Sequence, residues 1–138
     1  MNINWDDVFA AYRELETTRC MLRKPTMDDA SIIFDMMSKT EVTQYLGRLP
    51  MAIHEEAVKQ VEKYVNGLDQ QMSMTWIICD RESGEPMGTM SLFNLIKTHC
   101  RAEIGYLLLP EWWGKGIMSE VMRATLAYGF SSMQLHSM

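Results

Sequence analysis

Polar and apolar positions alternate between residues 101 and 109. Ala102, Ile104, Tyr106 and Leu108 fall on one side of an extended chain, and Glu103, Gly105, Leu107 and Leu109 fall on the other. A period of two marks a strand. Pro110, which has no N–H to give to a ladder, should end it. From Lys115 the apolar period lengthens to about 3.6 residues. Met118, Met122, Leu126 and Phe130 follow at i, i+4 spacing with Val121 beside them, which predicts an amphipathic helix. Between strand and helix lies Trp113-Gly114-Lys115-Gly116.

The rest of the chain has the same two periods. Asn4, Asp6 and Asp7 suit a helix start, with Trp5, Val8, Phe9 and Tyr12 as its apolar stripe. Such a helix packs on the domain or serves dimer contacts. Residues 17–24 alternate as one strand that stops at Pro25. Thr26 followed by Asp28 and Asp29 caps a helix carrying Ala30, Ile33, Phe34 and Met37. After a loop at 45–50, residues 54–66 form a second helix whose apolar side is Ala57, Val58, Val61, Tyr64, Val65 and Leu68. Glu55, Glu56, Lys59 and Lys63 lie opposite, with Glu55 and Glu56 spaced to pair with Lys59. Strands at 72–79 and 87–95 joined by a turn at 80–86 make a hairpin, a loop covers 96–99, and residues 133–138 begin a further strand. No period of 20–50 residues repeats, which excludes solenoids.

Composition changes this picture little. At 138 residues the chain is one domain with enough length to bury a core. A net charge of −5 argues against a nucleic-acid surface and leans toward a cationic partner. Cys20, Cys79 and Cys100 are too few and too scattered for a disulfide framework or zinc site, and His54, His99 and His136 have no ligand spacing, so no metal is expected. Reduced thiols, no secretion signal and apolar runs too short to span a bilayer fit a cytoplasmic protein without a membrane partner. Fourteen methionines either fill the core or line a substrate cleft.

The chemistry starts at the two glycines. A helix N-terminus carries unpaired N–H groups and partial positive charge, so it attracts anions, and glycine lets backbone approach a phosphate with no Cβ in the way. The tripeptide alone is equally a plain turn. Its spacing fits neither the P-loop nor the dinucleotide-binding G-x-G-x-x-G. There is also no nucleophile elbow.

Set between a strand and a helix, Glu111-Trp112-Trp113-Gly114-Lys115-Gly116 resembles motif A, [QR]-x-x-G-x-[GA], of the GNAT N-acetyltransferase superfamily. Glu111 stands where that pattern has Gln or Arg. Ala102-Glu103-Ile104-Gly105-Tyr106, Ala127-Tyr128-Gly129-Phe130 and the opening Thr17-x-Arg19-Cys20-Met21-Leu22-Arg23 resemble the RimJ/RimL-like branch. The likeness runs from about Thr17 to the last residue. It implies an α+β fold: a mixed, mostly antiparallel sheet with helices on both faces. It also implies that residues 1–138 are a single acetyltransferase domain stopping within the family's fifth strand. The absent final helix and strands would be about 30–40 residues by typical element lengths. They would carry the other cleft wall and a tyrosine acid. The exposed sheet edge would favour association, such as a homodimer.

The resemblance further implies acetyl transfer from acetyl-CoA to a primary amine. Backbone amides from Gly114 through Ser119, with Trp113, Gly116, Ile117 and Met118, would hold the diphosphate. Lys115 either adds charge there or is a surface lysine, and Ser119 either bonds a phosphate or caps the helix. Leu107, Leu108 and Leu109 would pair with the pantetheine arm and offer an amide to the thioester oxygen. Glu103, the acid inside the central strand, reads as general base acting through water or as an ion-pair partner of Arg101. Tyr45 and Arg48 either meet the acceptor or are solvated loop residues. An α-amine is roughly a tenth neutral at pH 7 whereas a lysine is neutral in about one molecule in a few thousand, so an N-terminal amine needs the weaker base. Protein N-termini and small amines both remain open as acceptors. The alternative is a non-catalytic module that binds CoA or a protein.

Overall fold

The computed structural model describes residues 5–10, 12–44, 47–96 and 101–131. Its elements are α1 (Trp5–Ala10), β1 (Leu15–Glu16), β2 (Cys20–Arg23), α2 (Ala30–Met37), α3 (Thr40–Thr43), α4 (His54–Asp69), β3 (Met74–Asp80), β4 (Pro86–Ile96), β5 (Arg101–Leu108) and α5 (Ile117–Ser131). Short 3₁₀ turns cover Met27–Asp29 and Pro110–Trp112. The strands form one antiparallel sheet in the order β1-β2-β3-β4-β5. The expected strand at 133–138, Asn4 and Tyr45 lie outside the described residues.

Each face of the sheet carries its own core, because β3 is buried on both sides and alternates between them. Trp76 and Ile78 meet Val8, Phe9, Ile117, Val121 and Tyr128 of α1 and α5. Ile77 and Cys79 meet Ile33, Met36, Ala57 and Val61 of α2 and α4. β5 divides in the same way, with Ala102 and Leu108 in the first core and Leu107 and Leu109 in the second. This is the expected α+β arrangement with helices on both faces. Met36, Met74, Met87 and Met90 are fully buried, so methionine here fills core. Among the described residues no helix is long and apolar enough to cross a membrane.

α1 packs on the domain. Gln71 Nε2 donates to Asp6 Oδ1 at 2.6 Å, and just after the helix Tyr12 stacks on Trp76 at 5.3 Å with its hydroxyl on the Thr75 carbonyl at 2.7 Å. At the start of α2, Asp29 accepts the Thr26 N–H at 2.8 Å and both Arg23 terminal nitrogens, at 3.0 and 2.7 Å. Burial pushes the Asp29 carboxyl upward, but these bonds outweigh it and hold it below the ordinary range. One acid thus joins β2 to the helix it precedes.

Three expectations need correction. Residues 17–24 are not one strand: β1 and β2 form a hairpin with Leu15 opposite Leu22. The Thr17 N–H donates to the Cys20 carbonyl at 2.9 Å and the Thr17 hydroxyl accepts the Cys20 N–H at 3.0 Å. A threonine-anchored turn of this kind leaves the period-two pattern nearly unbroken. On α5 the buried stripe is Ile117, Val121, Thr125 and Tyr128, one position away from Met118, Met122 and Leu126, which are half-buried. One position is about 100° of rotation. The sheet selects it because Tyr128 meets Trp76 edge-on at 5.5 Å, and Thr125 can be buried because its hydroxyl donates to the Val121 carbonyl at 2.9 Å. Glu56 does not serve Lys59. Its carboxylate accepts the N–H groups of Ala52 and Ile53, at 2.7 and 3.3 Å, at the start of α4.

Candidate active site

The site is built where β5 ends. The Leu109 N–H donates to the Met87 carbonyl at 2.8 Å, and Leu107 lies opposite Thr89. In an antiparallel ladder hydrogen-bonded pairs alternate, so Leu107 and Leu109 turn their backbone groups toward β4 while Tyr106 and Leu108 turn theirs to the other edge. The Leu108 carbonyl there accepts the Trp113 indole N–H at 2.8 Å. The chain then turns through Pro110–Trp112 and reaches α5 by way of Gly114 at φ 73° and Gly116 at φ 75°. Both glycines use the left-handed region that other residues avoid, and a Cβ on Gly114 would meet nothing within 4 Å. The turn therefore presents open backbone to one side.

That side is a cleft of about 550 Å³ lined by Leu107, Leu108, Trp113, Gly114, Gly116, Ile117, Met118 and Ser119, with Val42 opposite. Of the residues expected to hold the donor, Leu109 and Lys115 do not line it. Leu109 is buried in the α2/α4 core. The Lys115 ammonium sits 5.3 Å from the Trp112 ring centroid, a cation–π contact. Trp112 also lines the cleft, and its indole N–H is buried without a hydrogen-bond partner. An orphaned donor and an uncovered glycine turn fit a ligand rich in acceptors.

A second cleft, about 730 Å³, lies between α4 and the sheet and is lined by Arg48, Tyr64, Thr75, Thr89, Ser91, Phe93 and Asn94. Tyr106 and Leu107 belong to both clefts, so the two meet at the end of β5. Arg48 lines this cleft and is exposed. The sequence pointed to neither Tyr64 as a polar cleft residue nor the β4 side chains. Tyr64 reads as part of an apolar stripe, yet a tyrosine in such a stripe must place its hydroxyl somewhere. Burial raises its phenol above the ordinary range against the opposing pull of Gln60, Thr89 and Arg48, so it stays protonated.

Glu103 is exposed, which removes the argument that a strand-interior acid here must be buried. It faces Phe93 across the ladder, beside a bulge where Asn94 adopts φ 49° and donates its amide to Glu103 Oε2 at 2.7 Å. A bulge re-aims a side chain, and this one sets on the carboxylate a hydrogen bond from Asn94, which lines the larger cleft while Glu103 itself lines neither cleft. Phe93 also lies over Gly105, where a Cβ would come within 2.8 Å of its ring.

On the far side of the glycine turn, Glu120 accepts the Arg19 N–H and the Arg19 Nε–H, both at 2.9 Å, and the Thr17 hydroxyl. Burial raises its carboxyl, but these bonds outweigh that and bring it from 4.5 down to about 2. A carboxyl lowered by folding adds stability above its unfolded value and loses it as pH falls through the folded one. Stability against urea is therefore expected to fall between pH 4.5 and 2 more in the wild type than in Glu120→Gln. Parallel pH curves for the two would count against this pairing.

Comparison with known proteins places these features. A family model described as the acetyltransferase (GNAT) domain matches residues 19–138. The chain belongs to the GNAT acetyltransferase family. This GNAT chain is 38% identical over 121 residues to an uncharacterized N-acetyltransferase, YoaA, of Bacillus subtilis (strain 168), covering 88% of the chain and 68% of the relative. Its fold resembles the Vibrio cholerae spermidine N-acetyltransferase in complex with CoA and spermine (TM-score 0.74, 21% identity, 86% of this chain and 68% of that one). It also resembles the Salmonella typhimurium acetyltransferase that modifies the N-terminal serine of ribosomal protein L7/L12 (TM-score 0.72, 22% identity, 81% and 64%). This GNAT chain spans about two thirds of these relatives' length. Membership makes it an N-acetyltransferase.

Proposed function

We propose that the smaller cleft takes acetyl-CoA and the larger one a primary amine, and that the amine attacks the thioester where the clefts meet. The observation that carries this reading is the shared lining at Tyr106 and Leu107. A donor and an acceptor bound on either side of one strand end are held in contact, and such positioning supplies much of the rate of a bimolecular transfer. The donor contributes an electrophilic carbonyl. The chain contributes the rest: the turn of Gly114 and Gly116 offers N–H groups to a diphosphate, and the outward edge of Tyr106 and Leu108 offers backbone to an extended arm and an amide to a developing oxyanion. A solved structure of similar fold contains CoA, which supports the donor.

Glu103 serves as the base in this reading. It lies four residues before Leu107, roughly 13 Å along a strand, farther than one bridging water spans, so the amine's proton reaches it along a chain of waters rather than directly. Glu103→Gln keeps an acceptor for Asn94 and removes the base. Turnover is expected to fall about tenfold or more at neutral pH and to recover as rising pH deprotonates the amine unaided. A pH–rate profile identical to wild type would remove Glu103 from the mechanism. The acceptor is an α-amine of a protein or a small amine, following the relatives that acetylate an N-terminal serine or spermidine. The buried free thiols of Cys20 and Cys79 suit the reducing cytoplasm.

The test is the loss of acetyl-CoA thioester absorbance with a panel of amines and N-terminal peptides. Amine-dependent loss supports transfer. Binding of CoA without any loss would make the chain a binding module, and absence of CoA binding would defeat the donor assignment.

A further inference from the structure

Arg19 sits in the β1–β2 turn, 96 residues before Lys115 of the donor loop, yet one of its hydrogen bonds ends there and two more end on Glu120 in the first turn of α5. Its Nη1 donates to the Lys115 carbonyl at 2.7 Å, between the two glycines. Its Nε and its own backbone N–H hold the two oxygens of Glu120, each at 2.9 Å. Its Nη2 lies 3.4 Å from where a Gly116 Cβ would stand. Glu120 is in the first turn of α5, and its N–H closes that turn on the Gly116 carbonyl at 3.2 Å. An acid at that place competes for the same helix-start N–H groups that an anionic ligand would use, and it repels the ligand's charge. The other charges on the loop do not offset it. Glu111 adds a second acid, and Lys115 rests its ammonium on Trp112.

We infer that Arg19 is a positioning residue for the donor loop. Its guanidinium holds the glycine turn by the Lys115 carbonyl, and with Thr17 it draws the Glu120 carboxylate off the start of α5, leaving that end to the diphosphate. The planar fork suits this task because one cation reaches a carbonyl and a carboxylate together. The inference rests on the donor assignment above and deepens it. It assigns the N-terminal hairpin, which touches neither cleft through Arg19, a part in the affinity for CoA.

Calorimetry with CoA itself tests this, alongside thermal unfolding to confirm that each variant is folded. Arg19→Ala is expected to weaken CoA at least tenfold. The double variant Arg19→Ala/Glu120→Gln is expected to recover most of what Arg19→Ala loses, since the competing carboxylate is gone, and to stay below wild type because the bond to the Lys115 carbonyl is still missing. A purely structural role for Arg19 predicts no such rescue. Glu120→Gln alone, which leaves the guanidinium unopposed, is expected to bind CoA several-fold more tightly, and it decides the matter should Arg19→Ala fail to fold. Wild-type protein that binds no CoA would overturn the donor assignment and this inference with it. Wild-type binding with an unaffected Arg19→Ala, an unrescued double variant, or a Glu120→Gln no tighter than wild type would overturn this inference alone.

Discussion

Gly116→Val is expected to lower CoA affinity by a hundredfold or more while leaving a folded protein. Gly116 holds φ 75°, and a side chain in the left-handed region costs about 1–2 kcal/mol, more for a β-branched one. The turn escapes that strain by changing conformation, which displaces the backbone of the proposed donor cradle. Even in the present conformation the new Cβ stands 3.4 Å from Arg19 Nη2, so the valine methyls press on the guanidinium that holds the loop. Gly116 is exposed, and of its near neighbours in α5 only Ile117 is buried in a core, so strain at this turn leaves most of both cores intact. Calorimetry for CoA and a thermal melt separate the effects. A variant that keeps wild-type affinity would show that this loop is not the donor cradle.

The second large effect is at Gly88, where the expected result is a large loss of stability. A Cβ there would lie 2.0 Å from the Leu107 carbonyl oxygen and 2.9 Å from its carbon. Both are backbone atoms, so no side chain can swing aside. β4 and β5 must separate by more than an ångström at the Gly88–Leu108 pair, and Leu107 and Leu108 sit in the two opposite cores. Overpacking a core usually costs about 1–3 kcal/mol and occasionally more. A backbone clash that pulls on both cores belongs at the upper end, so Gly88→Val is expected to cost about 4 kcal/mol. That is a large part of the stability of a domain this size. Urea unfolding of Gly88→Ala and Gly88→Val gives the graded measurement, and CoA binding should disappear before the fold does. Unchanged unfolding midpoints would mean that β5 can shift its end freely, which would also undo its role in aligning the clefts.

Local information made the β5–turn–α5 segment legible. A strand with period two, a proline stop and two glycines before a helix each act through neighbouring residues, and all survive in the structure. The same holds for the Thr26–Asp29 capping box on the 3₁₀ turn that leads into α2 and for the stripe of α4, which act within a few positions. The hairpin at β1–β2 was hidden because Thr17 makes its turn with side-chain and backbone bonds that leave the alternation in place. The shift of the α5 stripe was hidden because Ile117 and Met118 are both apolar, and only Trp76, 52 residues before Tyr128 in the chain, distinguishes between the faces.

By itself, then, the chain of residues determined the order of elements from α4 onward, the two faces of β5 and the glycine turn at the head of α5, since these depend on dihedral preference and on periods that any short segment carries. The tertiary structure alone decided which charges matter. Arg19 reached the loop, Lys115 turned onto Trp112, and Glu103 went to the surface beside Asn94. Long side chains choose partners by distance in space, and separations of 96 and 101 residues leave no trace in a local pattern.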